Sequence, residues 1–349
     1  MRKRPRRQNI FVLSLQFKNL GIAIIPVILL IFLVLLFGRE IKDVLFEGKL
    51  MSFGRVATLL DYPQNFGLSS SADPDFSSLS GAGNDGKMLP VMTVSLTPKS
   101  DEGYIRNGSV YIKNYTKLNI DLKEIMEKPL ALKKAKKNEP SVLVIHTHGT
   151  ESFSPEGAET YNTAVENRST DINENVVAVG AEFVKTLEEN GIKAIHDKTM
   201  YDYPLYSGAY TRSGEAVKKY LKEYPSIAVV VDIHRDSIVT NEGVKYRPLA
   251  TVGETNAAQV MFVVGTDQNG QEHKNWRDNL NFAAHWNELI EKNAPGLTRP
   301  MHLRRDRFNH HLTTGSVILE VGATGNSLSQ AKESAKICAK TLCELLKNN

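Results

Sequence analysis

Cysteine is scarce in this chain of 349 residues, which contains two, Cys338 and Cys343. So few cysteines exclude a small domain held together by several disulfides, and their spacing is not the C-x-x-C of a metal-binding site. They lie in a segment with helical periodicity, and their separation places them on different faces of a helix. We therefore predict that both are buried apolar side chains and that a hydrophobic core stabilises the fold.

A glycine-rich phosphate loop and an internal repeat are also missing. The net charge of +4 does not describe the chain as a whole, because the first 19 residues contain six basic residues and no acidic one. Subtracting these six charges leaves −2 for the rest of the chain. No basic and aromatic residues are interleaved as in a DNA or RNA groove, so we predict no nucleic-acid partner. The six basic residues are Arg2, Lys3, Arg4, Arg6, Arg7 and Lys18.

Residues 20–38 form a long uncharged apolar run, LGIAIIPVILLIFLVLLFG. This length is sufficient to cross the hydrocarbon layer of a membrane as a helix. A cleaved signal peptide also has a basic start and an apolar core, but its core is shorter and ends at small residues, which Gly38-Arg-Glu40 does not provide. We therefore predict a single transmembrane helix at 20–38, with residues 1–19 in the cytoplasm by the positive-inside rule. The remainder of the chain is then extracytoplasmic.

The extracytoplasmic part divides into three. Residues 39–87 lose periodicity and are rich in Ser, Gly, Asp and Pro, so we predict a flexible tether. Residues 88–139 regain strand periodicity and are predicted to form a small accessory β-rich segment. Residues 140–349 have a length typical of one domain. The predicted elements of the accessory segment are strands at 91–96 and 110–115 and a short helix at 121–126.

Strands and helices alternate in the predicted domain at 140–349. Most strand candidates are short apolar runs, as expected when helices cover both faces of a sheet. The helix candidates carry apolar residues at helical spacing. This alternation predicts an α/β fold. The strands are predicted at 142–146, 192–196, 227–234, 259–264 and 316–321, and the helices at 175–190, 213–224, 273–293 and 327–346.

Three of these strands end on side chains that can bind a metal ion. They are VLVIHTH, which ends with His146 and His148, VVVDIH, which ends with His234, and VILEVG, which contains Glu320. In an open α/β sheet the ligand crevice lies outside the carboxyl ends of the strands, so these termini can meet. Alternate strand residues face the same side, so both histidines of HTH can reach the crevice, although only one need bind. We predict a catalytic zinc site.

Glu320 is predicted to lie deep in an apolar strand, where glutamate is rarely found unless it is paired or bound. One interpretation is a structural ion pair with an arginine from the segment at 304–307. The other is a general base that activates metal-bound water. Its apolar neighbours would raise its pKa, which would suit Glu320 to deliver the proton to a leaving amine.

Four longer motifs occur in order along the chain: HTHGTESF at 146–153, NRSTDINENVVAVG at 167–180, DIHRDS at 232–237 and NHHLTTGSVILEVG at 309–322. They resemble those of the stage II sporulation protein P family, the membrane-anchored cell-wall hydrolases that act in engulfment of the forespore. The resemblance implies a fold like that of zinc-dependent N-acetylmuramoyl-L-alanine amidases, a mixed sheet with helices on both faces. It implies cleavage of the amide between the stem peptide and the glycan of peptidoglycan, with a second activity on the peptide cross-links.

The resemblance also implies roles for individual residues. His146 and His234 would be the histidine ligands and Glu320 the catalytic carboxylate. His148 competes with His146, because the short motif aligns either way. The amidases place a glutamate ligand shortly before their first long helix, and the corresponding region offers Asp171 and Glu174.

A further acidic side chain, Glu151, lies close to the HTH sequence. Substrate contacts are expected from Arg212, Arg235 and Asn309, which lie near the metal motifs in the sequence. A wall peptide carries carboxylates, which arginine recognises in a bidentate manner. The alternative for each arginine is a surface salt bridge.

Two further functions stay open at this point. The chain could be a non-catalytic peptidoglycan-binding scaffold that holds partners such as stage II sporulation proteins D and M at the septum, but a scaffold has no need of a buried carboxylate beside a metal. It could also be a metallopeptidase acting only on the cross-link. For each, the resemblance implies a location in the mother-cell membrane, facing the septal space.

Overall fold

The computed structural model describes residues 68–70, 86–135 and 138–349. The predicted transmembrane helix and most of the predicted tether lie outside these residues, so both stay predictions. Within the described part of the chain, no helix combines the length and the apolar character needed to cross a membrane. These described residues all belong to one compact unit.

The described residues form fourteen strands, five α-helices and one 3-10 helix at His310–Leu312. The helices are α1 (Leu122–Met126), α2 (Val176–Glu189), α3 (Ala209–Glu223), α4 (Trp276–Asn293) and α5 (Leu328–Asn348). The strands are β1 (Leu68–Ser70), β2 (Met88–Val94), β3 (Ile105–Asn107), β4 (Val110–Asn114), β5 (Val142–Ile145), β6 (Thr160–Asn162), β7 (Ala194–His196), β8 (Val229–Asp236), β9 (Ile238–Thr240), β10 (Lys245–Val252), β11 (Thr255–Ala258), β12 (Val260–Gly265), β13 (Met301–Arg304) and β14 (Ser316–Ala323).

The main sheet has eight strands in the order β3-β4-β13-β12-β14-β8-β5-β7. From the centre to one edge, β14, β8, β5 and β7 are parallel, whereas β12 runs antiparallel to β14. The five strands predicted for the domain at 140–349 all lie in this sheet. The predicted mixed α/β fold is therefore confirmed.

Helices cover both faces of the main sheet, as predicted. The larger core cluster joins alternate residues of β5, β8, β12 and β14 to the apolar faces of α2, α4 and α5, with Trp286 fully buried among them. On the opposite face, Leu143, Ile145 and Val230 pack against Val217 of α3. Side chains of a strand alternate between faces, so each central strand contributes to both cores. Cys338 and Cys343 are buried, unbridged members of the larger core, as the sequence predicts.

Capping residues explain why two helices begin where the sequence predicts. At the start of α2, the side chain of Asn175 accepts a hydrogen bond from the Val177 backbone N–H. At the start of α5, Ser327 and Gln330 form a reciprocal capping box. Such caps satisfy backbone donors that have no partner within the helix. The α2 cap matters for the site, because it anchors the C-terminal end of the segment that connects β5 to α2.

A second sheet, not predicted as such, has the order β1-β9-β10-β2-β6, with β11 paired to β10. The segment expected as an accessory β-rich piece at 88–139 is divided between the two sheets. Its first strand, β2, pairs in parallel with β10, while β4 pairs in parallel with β13 of the main sheet. These strands are therefore integrated with the later chain instead of forming a sheet of their own.

Candidate metal centre

The carboxyl end of β5 places His146 and His148 in different surroundings. His146 follows the strand directly and is fully buried against α2, where its Nδ1 donates to the Ile233 carbonyl at 3.0 Å. Its Nε2 lies 2.9 Å from Nε2 of His196. Since a carbonyl only accepts, Nδ1 carries the hydrogen and Nε2 accepts from His196. Burial is the main cause that lowers the pKa of His146 to about 4, so the ring is neutral.

His148, Glu151 and His234 form a compact group at the carboxyl end of the central strands. One donor atom from each lies within 4.8 Å of the others, and all three side chains are buried. The His148 Nδ1 is 3.8 Å from Glu151 Oε1, and the His234 Nδ1 is 3.5 Å from Glu151 Oε2. The two imidazole rings are nearly perpendicular, with centroids 5.1 Å apart. Each carboxylate oxygen thus faces the Nδ1 atom of one of the two rings.

Glu151 is held in this position by Arg235. The backbone N–H of Arg235 donates to Glu151 Oε2 at 3.1 Å, and its guanidinium Nη1 lies 3.8 Å from Oε1. Burial alone would raise the pKa of Glu151, but the charges of Arg235, His234 and His148 outweigh it and hold that pKa well below its usual range. The carboxylate is therefore ionised, as a metal ligand must be.

Asp232 lies on the other side of His234. It precedes His234 by two residues on β8 and so shares its face of the sheet. Its Oδ1 lies 3.0 Å from His234 Nε2, at an angle that does not form a full hydrogen bond, and accepts from the Thr147 backbone N–H at 2.8 Å. Burial raises the pKa of Asp232, but His234 and the Thr147 hydrogen bonds outweigh it and lower it to about 2. A carboxylate behind a metal-binding histidine fixes the orientation of the ring.

Glu320 is adjacent to His234 in the sheet, because the two are paired in the parallel register of β14 and β8. Its side chain is 6% exposed, and its Oε2 has no hydrogen-bond partner among the described residues. Burial first, and then the negative charge of Asp236, raise the pKa of Glu320 to about 8. A buried carboxyl with a raised pKa beside a ligand cluster has the character of a general acid and base.

Aromatic side chains from the loop before α3 and from its first turn border His148. Tyr206 stacks on the His148 ring with centroids 4.6 Å apart, and Tyr210 meets it edge-on at 5.5 Å. The Arg168 guanidinium lies over the outer face of Tyr206 and pairs with the buried Asp202 at 2.7 Å. Since Asp202 also binds Thr150, the loop is fastened to the turn that carries His148.

The structure brings some of the predicted ligands together and separates others. His148 and His234 lie in the cluster with Glu151, whereas His146 lies outside it, on the α2 side of the sheet. Asp171 and Glu174 are exposed in the turn before α2 and are also outside the cluster. Both make local contacts, since the Asp171 side chain accepts from the Asn173 backbone N–H and Ser169 donates to Glu174. The geometry therefore favours His148 and Glu151 as partners of His234.

The three residues predicted to bind substrate have internal contacts. The guanidinium of Arg212 donates to the carbonyls of Tyr201, Leu205 and Ser207. Arg235 is 7% exposed and is bound to Glu151 and to backbone carbonyls. The Asn309 amide donates to the Tyr210 carbonyl and to Ser213. These contacts give each residue a place in the architecture of the site, and direct binding of substrate by them stays a prediction.

Asp232 was missed from the sequence, although a signal for it exists. In a buried strand, a carboxylate two residues before a histidine lies on the same face and within reach of the ring. Glu151 had only its proximity to HTH in its favour. Its position depends on the turn at 147–150, which no strand or helix periodicity encodes.

The residues of the cluster fit a zinc ion. Two imidazoles and one carboxylate, with donor atoms already close together, are the set used by catalytic zinc sites that keep a position for water. Soft thiolate donors are absent from the cluster, and oxygen donors are too few for calcium or magnesium. The unpartnered oxygen of Glu320 beside this cluster is a further observation that the site is built for a bound group.

Comparison with known proteins identifies relatives. The family model for stage II sporulation protein P (SpoIIP) matches residues 90–343. The stage II sporulation protein P of Bacillus subtilis (strain 168) is 30% identical in an alignment of 217 positions that covers 58% of this chain. The chain spans about half the length of this relative, since 50% of the relative is covered.

Two solved structures are also similar in part. The N-acetylmuramoyl-L-alanine amidase AmiC2 of Nostoc punctiforme is 12% identical with a TM-score of 0.32, covering 61% of this chain and 99% of that chain. The CwlD amidase from Clostridioides difficile, solved in complex with the GerS lipoprotein, is 14% identical with a TM-score of 0.36. The match covers 60% of this chain and 100% of that chain.

Proposed function

The chain belongs to the stage II sporulation protein P family, and from this premise we propose that it is a membrane-anchored, zinc-dependent peptidoglycan hydrolase of spore formation. The reaction is hydrolysis of the amide that joins the muramic acid of the glycan to the L-alanine of the stem peptide. A second activity on the peptide cross-links would use the same residues. The observation that carries the proposal is the position of Glu320, a buried carboxyl beside His234 in the same sheet register.

In the proposed site, His148, Glu151 and His234 would hold the zinc ion. When bound there, zinc lowers the pKa of a water molecule and polarises the carbonyl of the scissile amide. Asp232 keeps the His234 ring in the orientation that directs Nδ1 towards the cluster. The chain therefore supplies the ligands and their orientation from the ends of two neighbouring strands, β5 and β8.

Glu320 is the proposed proton carrier. Its carboxylate accepts the proton of the attacking water and then delivers it to the nitrogen of the leaving amine, so that the C–N bond breaks with a neutral amine as product. Burial holds the Glu320 pKa above its ordinary value, at about 8. Beside a positively charged ligand cluster the Glu320 carboxyl would have a lower pKa than this, so it could accept and release the proton near neutral pH.

The partners and location follow from the same proposal. Peptidoglycan is the substrate, the cell membrane anchors the chain through residues 20–38, and the domain faces the septal space from the mother-cell membrane. Stage II sporulation proteins D and M are the proposed protein partners. The alternative function is a peptidoglycan-binding scaffold without catalysis, which shares the partners and the location.

Digestion of purified, denuded peptidoglycan tests the proposal. The full-length chain in detergent is compared with Glu320→Gln, which keeps the shape of the side chain but cannot accept the proton. Glu215→Gln is the matched control, because Glu215 is exposed on α3 and forms an ion pair with the exposed Lys218. Products are resolved by mass spectrometry.

Release of intact stem peptides with a free L-alanine amine by the wild type and the control, but not by Glu320→Gln, is the expected result. Peptidoglycan binding without cleavage, with zinc present and with the proposed protein partners added, would support the scaffold instead. Release of cross-link fragments alone would identify a peptidase.

A further inference from the structure

We propose that Arg235 is the positioning residue of the metal centre, which holds Glu151 ready between the two histidines before any cation binds. The inference rests on the proposed function, because it takes His148, Glu151 and His234 as the ligands. It differs from the substrate-binding role that the sequence predicts for Arg235. Arg235 instead contacts the Glu151 carboxylate and holds it in position for the metal.

The contacts of the Glu151 carboxylate carry the proposal. Each of its oxygens lies between one histidine ring and one group of Arg235. Oε2 is 3.5 Å from His234 Nδ1 and 3.1 Å from the Arg235 backbone nitrogen. Oε1 is 3.8 Å from His148 Nδ1 and 3.8 Å from Arg235 Nη1. A single residue thus fixes both the depth and the rotation of the carboxylate.

The rest of the Arg235 side chain fastens the loops around Glu151. Its Nε donates to the Ser152 carbonyl at 3.0 Å, and its Nη2 donates to the Asn167 carbonyl at 2.8 Å. Ser152 follows Glu151, and Asn167 belongs to the loop that leads to α2. The Asn167 side chain in turn binds the buried ammonium of Lys245 on β10. Arg235 therefore connects the ligand turn to β8 and, through Asn167, to the second sheet.

The position of Arg235 on β8 makes this arrangement specific. His234 and Arg235 are consecutive, so their side chains leave opposite faces of the strand. His234 can then serve as a ligand while Arg235 holds a second ligand, Glu151, in position. Arg235 is 7% exposed, and its guanidinium forms a planar fork with donors in several directions. A lysine at this position would keep the charge but could not make the same set of contacts.

Removal of the guanidinium would leave Glu151 as a buried carboxylate without a permanent cation beside it. Breaking a buried pair by removing one partner is unfavourable, and Glu151 would keep only the two imidazoles as compensation, whose charge depends on their protonation. The Glu151 side chain would leave its place between the imidazoles. The cation site would then have to be assembled at the moment of binding, which weakens the affinity for metal.

The test measures zinc affinity of the metal-free, full-length protein in detergent by competition with a chromophoric chelator. The variants are Arg235→Gln and Arg235→Lys. The matched control is Arg106→Gln, which removes an exposed arginine that pairs with Asp101 at 2.9 Å. Arg106 lies far from all three ligands in the sequence. We expect Arg235→Gln to weaken zinc binding by about 10–100-fold, the effect typical of lost outer-shell contacts. Arg235→Lys should be intermediate and the control unchanged.

A double-mutant cycle separates positioning from a purely structural role. In a Glu151→Gln background the ligand is already lost, so Arg235→Gln should cause little further loss of affinity. Near-ultraviolet circular dichroism checks that each variant is folded, and zinc affinities are compared only between folded variants. If Arg235→Gln does not fold, Arg235→Lys is compared in the same way.

Two outcomes would overturn the inference: wild-type zinc affinity in the folded variants, or the same loss of affinity with and without Glu151. Absence of zinc binding by the wild-type protein is a different result. It would contradict the proposed function itself, and the inference would fail with it.

Discussion

Glu320 and His234 lie side by side on neighbouring parallel strands, paired in register, although 86 positions separate them in the sequence. The register changes immediately after Glu320, where Gly322 adopts a φ of +72° and β14 becomes irregular. A side chain added at Gly322 would approach Ala258 and Asn326 to 3.0 Å or less. The sheet therefore holds the two side chains together up to the point where the strand bends away. The proposed chemistry depends on this pairing.

The first prediction distinguishes the two histidines of HTH. His148→Ala should abolish stoichiometric zinc binding, because it removes one of the three donors of the cluster. His146→Ala should retain zinc, because His146 is bound to the Ile233 carbonyl and to His196 instead. Zinc per chain, measured by elemental analysis of purified full-length protein, checks both.

His146→Ala serves as the control for His148→Ala, since each removes one buried imidazole from the same segment. The alternative ligand assignment predicts the reverse pattern, with zinc lost on substitution of His146 and kept on substitution of His148. That pattern would contradict the placement of the metal centre.

The second prediction concerns Asp232. Asp232→Asn removes the negative charge beside His234 Nε2 and should weaken zinc affinity by about 10–100-fold. Asp171→Asn is the matched control, because Asp171 is exposed in the turn before α2 and should leave the affinity unchanged. Competition with a chelator gives both affinities. A larger loss for Asp171→Asn than for Asp232→Asn would restore Asp171 as the acidic ligand.

The third prediction concerns stability. A Cβ at Gly180 of α2 would lie 2.5 Å from two atoms of the His146 ring and 2.8 Å from His196 Nε2. Alanine is favoured over glycine in a helix, but overpacking of this kind lowers the free energy of unfolding by about 1–3 kcal/mol. Urea denaturation of Gly180→Ala measures the change. Because His146→Ala removes the closest atoms, Gly180→Ala should be less harmful in that background, and equal losses in both would contradict the close contact.

The fourth prediction is a pH dependence of stability in the metal-free protein. Burial raises the pKa of Glu320 to about 8, above its ordinary value of 4.5. Between these values the unfolded chain has released the proton that the folded chain still holds, so stability falls as pH rises from about 4.5 to about 8. The slope from one such group is at most about 1.4 kcal/mol per pH unit.

Glu320→Gln removes this titration, so its stability relative to the wild type should increase as pH rises from 5 to 8. Urea denaturation at several pH values measures the difference. A difference between the two proteins that does not change with pH would show that Glu320 is ionised in the folded state throughout.

The central strands of the fold were predictable because burial on both faces leaves uninterrupted apolar runs such as the one ending at His234. That His234 and Glu320 can meet was predicted because strands of an open α/β sheet present their carboxyl ends to one crevice. Their direct pairing depends on the strand order, which the sequence does not reveal. The second sheet escaped prediction because β10 carries Pro248 and no apolar run, and its partner β2 lies about 150 residues earlier. Pairing over that distance leaves no local pattern.

The ligand set shows where strand periodicity ceases to apply. The rule that alternate residues share a face holds along β5 as far as Ile145, and the chain then turns at 147–150. Beyond the strand end, His146 and His148 no longer share a face, and the turn brings Glu151 back towards β8. Turn geometry and the contacts of Arg235 decide this, and neither is encoded in hydrophobic periodicity.

The most direct test of the account is hydrolysis of purified peptidoglycan by the full-length protein before metal removal, after it, and after addition of zinc. The account predicts release of stem peptides with a free L-alanine amine, loss of that release on chelation, and its recovery when about one zinc per chain is restored. Undiminished release by protein shown to contain no metal would contradict it.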